Sequence, residues 1–353
     1  MIDFVKLQYA HHDINVFVER HRSLILGVLH LETGDLTYPY TFHFEEYKIT
    51  IREGLGRDIH YIEIAGSIHK NYFSGKNYRR FTFEMLQSEI QWLSSSLNLE
   101  PEGLRIQNLE VGVNIVTPFP PFAYLSENLL LYKTKPFSKY SKGKDGKELG
   151  FFCDGTPIVK LYDKGKQYTR SNNLLRFELR YLKARELNDL DVCTLQDLTD
   201  ISKIAALTDK LLRSWENVLL YESTMNLSNP NITNKQRKEY KDCEHPKNWQ
   251  KVLKDKASKT SFYKRKNAFK QIIRLYGENV HRTVAGLLKD EVQKCMNSPV
   301  SNNTEVCNFT HIVNCEFLHL ASSSPSLSSA SPLPCFPPLF LKTVPFPCSD
   351  IPP

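Results

Sequence analysis

The chain has 353 residues, 41% hydrophobic and 24% charged, with a net charge of +7. That is the composition of a folded protein of one large domain or two, not of a disordered chain. No apolar run approaches the ~20 residues of a membrane helix, and the opening Met1-Ile2-Asp3-Phe4 lacks a basic secretory n-region, so a cytoplasmic protein is expected.

Residues 2–9 alternate apolar and polar (Ile2, Phe4, Val5, Leu7, Tyr9), which predicts an amphipathic strand. Residues 24–31, 40–51 and 60–68 are rich in β-branched and aromatic side chains and predict three more strands. Gly34-Asp35 and the glycines of 54–56 mark turns between them, so the strands form an antiparallel meander. Phe83, Leu86, Ile90, Leu93 and Leu97 recur at helical spacing, with Thr82 placed to cap the helix. Residues 104–116 predict a strand that Pro118-Phe119-Pro120-Pro121 ends, followed by a short helix over 124–132. Strands at 158–162 and 174–182 come next, and helical patterns fill 201–221, 249–255, 262–276 and 280–296. The fold expected is α+β, a mostly antiparallel sheet covered by helices, then a basic helical C-terminal region and a disordered tail. The divisions are a sheet-rich domain over 1–190, the basic helical region over 191–297 and a Ser/Pro-rich tail over 298–353. That tail holds nine prolines beyond residue 300 and reads as disordered, as foreign to the body as a frameshifted C-terminus would be.

Charge is concentrated. Residues 235–274 contain fourteen Lys or Arg against four acids. Such a cluster is the footprint of a polyanion partner, nucleic acid first, although a solvated helix surface has the same composition. Within it, Trp249, Leu253, Phe262 and Phe269 recur at near-helical spacing and are expected in the core. Lys264, Arg265 and Lys266 are expected outside, free to meet phosphate. The eight cysteines form no Cys-x-x-Cys pair, which argues against a disulfide framework and against zinc.

The residues with chemical potential lie on three strands. In Val159-Lys160-Leu161-Tyr162-Asp163-Lys164, period-two alternation puts Lys160, Tyr162 and Lys164 on one face. In Leu175-Arg176-Phe177-Glu178-Leu179-Arg180 it groups Arg176, Glu178 and Arg180. In the third strand Glu110, Gly112 and Asn114 share a side, and Gly112 leaves room for a ligand. A phenol among cations is expected to favour phenolate, which can attack a phosphodiester. Glu110, Asn114 and Glu178 are hard oxygen donors suited to Mg²⁺ or Mn²⁺. The same alternation also describes ordinary strands with charges paired across them.

The order of these motifs resembles the tyrosine-dependent rolling-circle replication initiators of the plasmid Rep-trans type and related phage initiators. The matching residues are Glu110 and Asn114, then Tyr162-Asp163-Lys164-Gly165-Lys166-Gln167, then Arg176-Phe177-Glu178-Leu179-Arg180, with Gly66-Ser67-Ile68-His69-Lys70 upstream. The resemblance covers roughly residues 1–190. It implies a metal-dependent DNA nickase and strand transferase. Tyr162 would become the 5′-phosphotyrosyl residue and Lys164 would contact the scissile phosphate. Glu110 and Glu178 would hold the metal, with Asn114 where members of the family commonly have an acid. Lys70, Arg176, Arg180, Lys264, Arg265 and Lys266 are the DNA contacts expected. Tyr132, Tyr140 and Tyr168 lie near enough to replace Tyr162. The partners implied are origin DNA, a host polymerase and, since no Walker loop is present, a host helicase. A dimer is one of the oligomeric states left open. A non-catalytic DNA-binding protein, such as an inactivated initiator copy, stands as the second reading.

Overall fold

A computed structural model describes residues 1–11, 14–29, 36–54, 60–142, 148–170, 172–254 and 259–297. The turn expected at Gly34-Asp35 and the disorder expected over 298–353 fall outside the described residues.

The strands in chain order are β1 (Ile2–His11), β2 (Leu26–Leu29), β3 (Leu36–Phe44), β4 (Tyr47–Glu53), β5 (His60–Ser67), β6 (Arg105–Val116), β7 (Leu129–Tyr132), β8 (Lys135–Pro136), β9 (Ser138–Lys142), β10 (Glu148–Cys153), β11 (Ile158–Asp163), β12 (Leu174–Tyr181) and β13 (Val218–Leu220). The helices are α1 (Asn15–His21), α2 (Ile68–Tyr72), α3 (Phe83–Leu97), α4 (Pro121–Asn128), α5 (Lys164–Gln167), α6 (Arg185–Asn188), α7 (Ile201–Trp215), α8 (Asn234–Lys241), α9 (Pro246–Lys254), α10 (Lys259–Tyr276) and α11 (Val280–Asn297). Ten strands form one sheet in the order β2-β3-β4-β5-β1-β6-β12-β11-β10-β9, with antiparallel neighbours throughout. A three-stranded sheet runs β13-β7-β8.

The alternation of β6 and β12 divides the large sheet into two faces. Val111, Val113, Leu175, Phe177 and Leu179 are buried on the apolar one. There α7 and α11 pack on β6, and the Trp215 ring meets Phe177 edge-on at 5.3 Å. Glu110, Gly112, Asn114, Arg176 and Glu178 occupy the opposite face. Thr82 caps α3 as its spacing implied, its hydroxyl accepting the Met85 N–H at 3.3 Å.

Three local expectations change. Residues 40–51 are a hairpin rather than one strand, turning at Glu45 with φ +52°. The helix expected over 124–132 starts earlier at Pro121 and gives way to β7. The helix from residue 201 stops at Trp215, and β13 follows it.

The main core crosses residue 190. Ile204, Leu207 and Leu211 of α7 and Val284, Leu288 and Val292 of α11 belong to the same cluster as the large sheet. A second cluster joins the small sheet to α8, α9 and α10 through Leu131, Leu219, Tyr240, Trp249, Phe262 and Phe269. Trp249, Phe262 and Phe269 are therefore core residues, as their spacing implied.

Candidate functional site

Register builds the site. Lys160 pairs with Glu178 and Tyr162 with Arg176 across β11 and β12. Arg176 pairs with Asn114, Glu178 with Gly112 and Arg180 with Glu110 across β12 and β6. On the far side of β6, β1 contributes Asp3. Four neighbouring strands, β1, β6, β12 and β11, thus place one phenol, three carboxylates and several cations on the same face.

Arg176 is the hub. It is fully buried, with Nε 2.7 Å from Glu178 Oε2, Nη2 3.1 Å from Asp3 Oδ2, and Nη1 donating to Asn114 Oδ1 at 3.1 Å. Tyr162 Oη donates to Glu178 Oε2 at 3.3 Å. Lys160 Nζ lies 2.8 Å from Glu110 Oε1 and 2.9 Å from Glu178 Oε1. Arg180 Nε comes within 3.2 Å of Glu110. Asp3 also accepts from the Ser67 hydroxyl and, at 2.6 Å, from Asn77 Nδ2. Asn77 Oδ1 in turn accepts from Tyr168 Oη at 2.6 Å.

The charges respond to this packing. Burial opposes ionisation of Asp3, but Arg176 and Lys164 outweigh it and hold the carboxyl well below the usual range. Burial also opposes ionisation of Glu178, and Lys160 and Arg176 hold it low in the same way. Glu110 is pushed up to about 7 by burial and by the Glu178 carboxylate. Tyr162 moves opposite to expectation. Burial first, and then the charge of Glu178, raise its phenol well above the usual range, so this environment stabilises the neutral form. Lys160 and Arg176 beside it are already paired with carboxylates and leave little net positive field.

A carboxylate oxygen from each of Asp3, Glu110 and Glu178 lies within 4.8 Å of the others. Three hard oxygen donors at this spacing fit Mg²⁺ or Mn²⁺. The third carboxylate of this group is Asp3, and Asn114, expected among the ligands, is engaged elsewhere. Asn114 turns its amide N–H₂ to the carbonyls of Asn77 and Tyr78 at 3.1 and 3.2 Å and gives its oxygen to Arg176. Lys160 and Arg176 stand between these carboxylates, so a cation entering there displaces the Lys160 ammonium. Lys160 keeps 20% of its side chain exposed and has solvent to move into.

Four other expectations change. Lys164 is not on the strand: Asp163 ends β11 and caps α5, its carboxylate accepting the Lys166 N–H at 2.9 Å. Lys164 Nζ nevertheless sits 5.1 Å from the Tyr162 ring centroid, buried between it and Tyr168. The room expected at Gly112 belongs to β12, since a Cβ there would come 2.6 Å from Phe177 O. Arg176 is sealed inside and offers nothing to a DNA surface. Lys266 is 7% exposed and likewise off the outer face. Lys264 is exposed. Arg265 is half-buried, bonded to Asp242 O at 3.2 Å and to Cys243 Sγ. Lys70 is half-buried on α2, and Arg180 is one-third exposed at the rim.

No protein-family model matches the chain, and no curated protein matches it. Among solved structures, it is similar to a rolling circle replication initiator protein from Geobacillus stearothermophilus. Identity is 13%, over 72% of this chain and 95% of that one, with a TM-score of 0.34. A likeness this distant assigns no residue of the site. Among the described residues no helix is long and apolar enough to cross a membrane.

Proposed function

We propose that this chain initiates DNA replication by nicking and rejoining origin DNA through a phosphotyrosyl intermediate. The observation that carries the reading is the convergence of Tyr162 with Asp3, Glu110 and Glu178 on one sheet face. In this reading Tyr162 Oη forms a bond to the scissile phosphorus while the bond to the 3′ oxygen breaks. The DNA 5′ end stays esterified to the protein and the 3′-OH is released. Glu178 Oε2, which accepts from the Tyr162 hydroxyl, would take the phenol proton. Lys164, whose Nζ lies 5.1 Å from the Tyr162 ring centroid, would contact the phosphate. A divalent cation held by the three carboxylates would offset phosphate charge during attack. The cation-rich α8–α10 region would hold the flanking DNA, and unwinding and synthesis would fall to a host helicase and polymerase.

A second reading rests on Lys160 and Arg176. With the carboxylates already neutralised by buried cations, the cluster also suits a non-catalytic DNA-binding protein whose sheet is stapled by ion pairs.

The test is incubation of the full chain with Mg²⁺ and supercoiled DNA carrying its origin, followed by a denaturing gel for covalent protein–DNA adduct. Wild type is expected to form the adduct, and Tyr162→Phe to lose it while DNA affinity stays within about twofold. An adduct that persists in Tyr162→Phe moves the nucleophile to Tyr168, which is only half-buried. No adduct from wild type on any single-stranded or supercoiled origin substrate decides for the second reading.

A further inference from the structure

Lys266, Lys270 and Arg274 are spaced four residues apart on α10 and share one stripe of the helix. Lys270 and Arg274 line a cleft of about 230 Å³ between α10, β13 and the start of α11. Asn279, His281 and Arg282 form the opposite wall, and Glu216 is the one acid on the lining.

The positive charge here exceeds its counter-charge, with Glu216 as the one acid against Lys270, Arg274 and Arg282 on the lining. Lys266 Nζ has one long contact, to Lys133 O at 3.5 Å, and Lys270 Nζ donates to the backbone carbonyl of Glu216 at 3.1 Å. Among the described residues neither ammonium has a carboxylate within 4.0 Å. Buried cations are ordinarily paired, because the lost hydration is recovered only from an opposite charge. Burial and the neighbouring Lys270 push Lys266 down to about 8. Burial also pushes His281 down, and Lys270 and Lys266 add to that effect although the Glu216 carboxylate opposes it. The imidazole stacks on Trp215, with Nε2–H donating to Trp215 O at 3.0 Å. The first N–H of α11, on Val280, is taken by Glu222 at 2.7 Å, and the Arg282 N–H by Asn279 O at 2.9 Å.

We propose that this cleft binds a phosphoryl group, gripped by Lys270, Arg274 and Arg282, with Lys266 as the buried positive charge behind them. A guanidinium on each wall gives the paired donors that phosphate oxygens accept. The phosphate is either part of a nucleic-acid backbone or carried by a free nucleotide. The inference stands on this cleft alone and does not depend on the chemistry of Tyr162.

The experiment is calorimetric titration of the full chain in phosphate-free buffer with pyrophosphate, with a 5′-mononucleotide, and with a short single-stranded deoxyoligonucleotide. Lys270→Gln/Arg274→Gln should weaken the responding probe at least tenfold. Lys210→Gln, an exposed lysine on α7, should leave it unchanged. Response to pyrophosphate and mononucleotide identifies a free-phosphate site, and response to the oligonucleotide alone identifies a backbone contact. Lys266→Met supplies a second readout. It should melt higher than wild type in phosphate-free buffer, because an unpaired charge is gone, and should lose the rise in Tm that the bound probe gives wild type. The proposal is overturned if no probe binds wild type. It is equally overturned if the double variant binds like wild type, or if Lys210→Gln weakens binding as much as the double variant does.

Discussion

The Lys160 ammonium lies 2.9 Å from Glu178 on the neighbouring strand and, with the same charge, 2.8 Å from Glu110 one strand further. It occupies the place a divalent cation would share with those two carboxylates, so lysine and metal compete. Lys160→Met should therefore tighten Mn²⁺ binding by roughly tenfold, an energy of about 1.4 kcal/mol. Asp3→Asn and Glu178→Gln should each weaken it. Calorimetric titration with Mn²⁺ checks all three, and equal affinities across the set would remove the metal from the site.

Asn114→Asp looks on sequence grounds like the restoration of a ligand. The structure predicts the reverse. Asn114 Nδ2 faces the carbonyls of Asn77 and Tyr78, and a carboxylate there would meet oxygen with oxygen. The variant should lose roughly 1–3 kcal/mol in urea unfolding and gain no Mn²⁺ affinity. A stable variant with tighter metal binding would return Asn114 to the ligand set.

Arg176→Met tests the buried hub. It leaves Asp3 and Glu178 without their shared guanidinium, and breaking a buried pair costs roughly 3–5 kcal/mol. The two carboxyls are held below their ordinary range, so their contribution is present above the unfolded carboxyl range and fades as pH falls through the folded values. Without Arg176 that contribution is missing at neutral pH. The stability gap between wild type and variant should be widest near pH 7 and narrow toward pH 3. A gap independent of pH would mean that the loss is packing alone.

Lys266 shows the same dependence in a higher pH window, but there it is a charge that the fold disfavours rather than one that it holds. Its ammonium is lowered from 10.5 to about 8. The unfolded chain therefore binds more protons between those values, and stability should rise with pH there by up to about 1.4 kcal/mol per unit. Lys266→Met should flatten that rise in urea titrations from pH 8 to 10.5.

On the basic surface, Lys264 is exposed, Arg265 is half-held by Asp242 and Cys243, and Lys266 is inside. In a salt series of anisotropy titrations with duplex DNA, Lys264→Ala should reduce the log–log slope by about one unit, as loss of one phosphate contact does. An unchanged slope would make that face of α10 merely solvated.

Much of the sheet was legible because its strands alternate cleanly. In β6 and β12 the parity that puts Val113 and Phe177 in the core also puts Glu110, Asn114, Arg176 and Glu178 together. The β3–β4 hairpin was hidden because its turn at Glu45-Glu46 has neither Gly nor Asn to announce it. Asp3 was hidden for a deeper reason. Parity groups it with Val5 and Leu7, which are core residues, but the pairing of β1 with β6 shifts between Ile2 and Val5, and this irregularity accompanies Asp3 on the polar side. Its partners, Arg176 and Glu178, lie more than 170 residues away in sequence, beyond anything local periodicity reports. Lys266 failed similarly: a basic tripeptide reads as surface until the helix that carries it is seen packed on both sides.

The strand order has a temporal consequence. β1 and β12 lie on either side of β6, yet one opens the chain and the other ends at Tyr181. A ribosome that has released only the first 170 residues has made Asp3, Glu110 and Tyr162 but no Arg176 to join them. Glu178 is missing with it, since both lie on β12, so the cluster is completed only when β12 slots between β6 and β11. The three-carboxylate cluster would then be absent from every nascent or truncated chain that stops short of it, and the cell would meet that cluster only on a finished sheet.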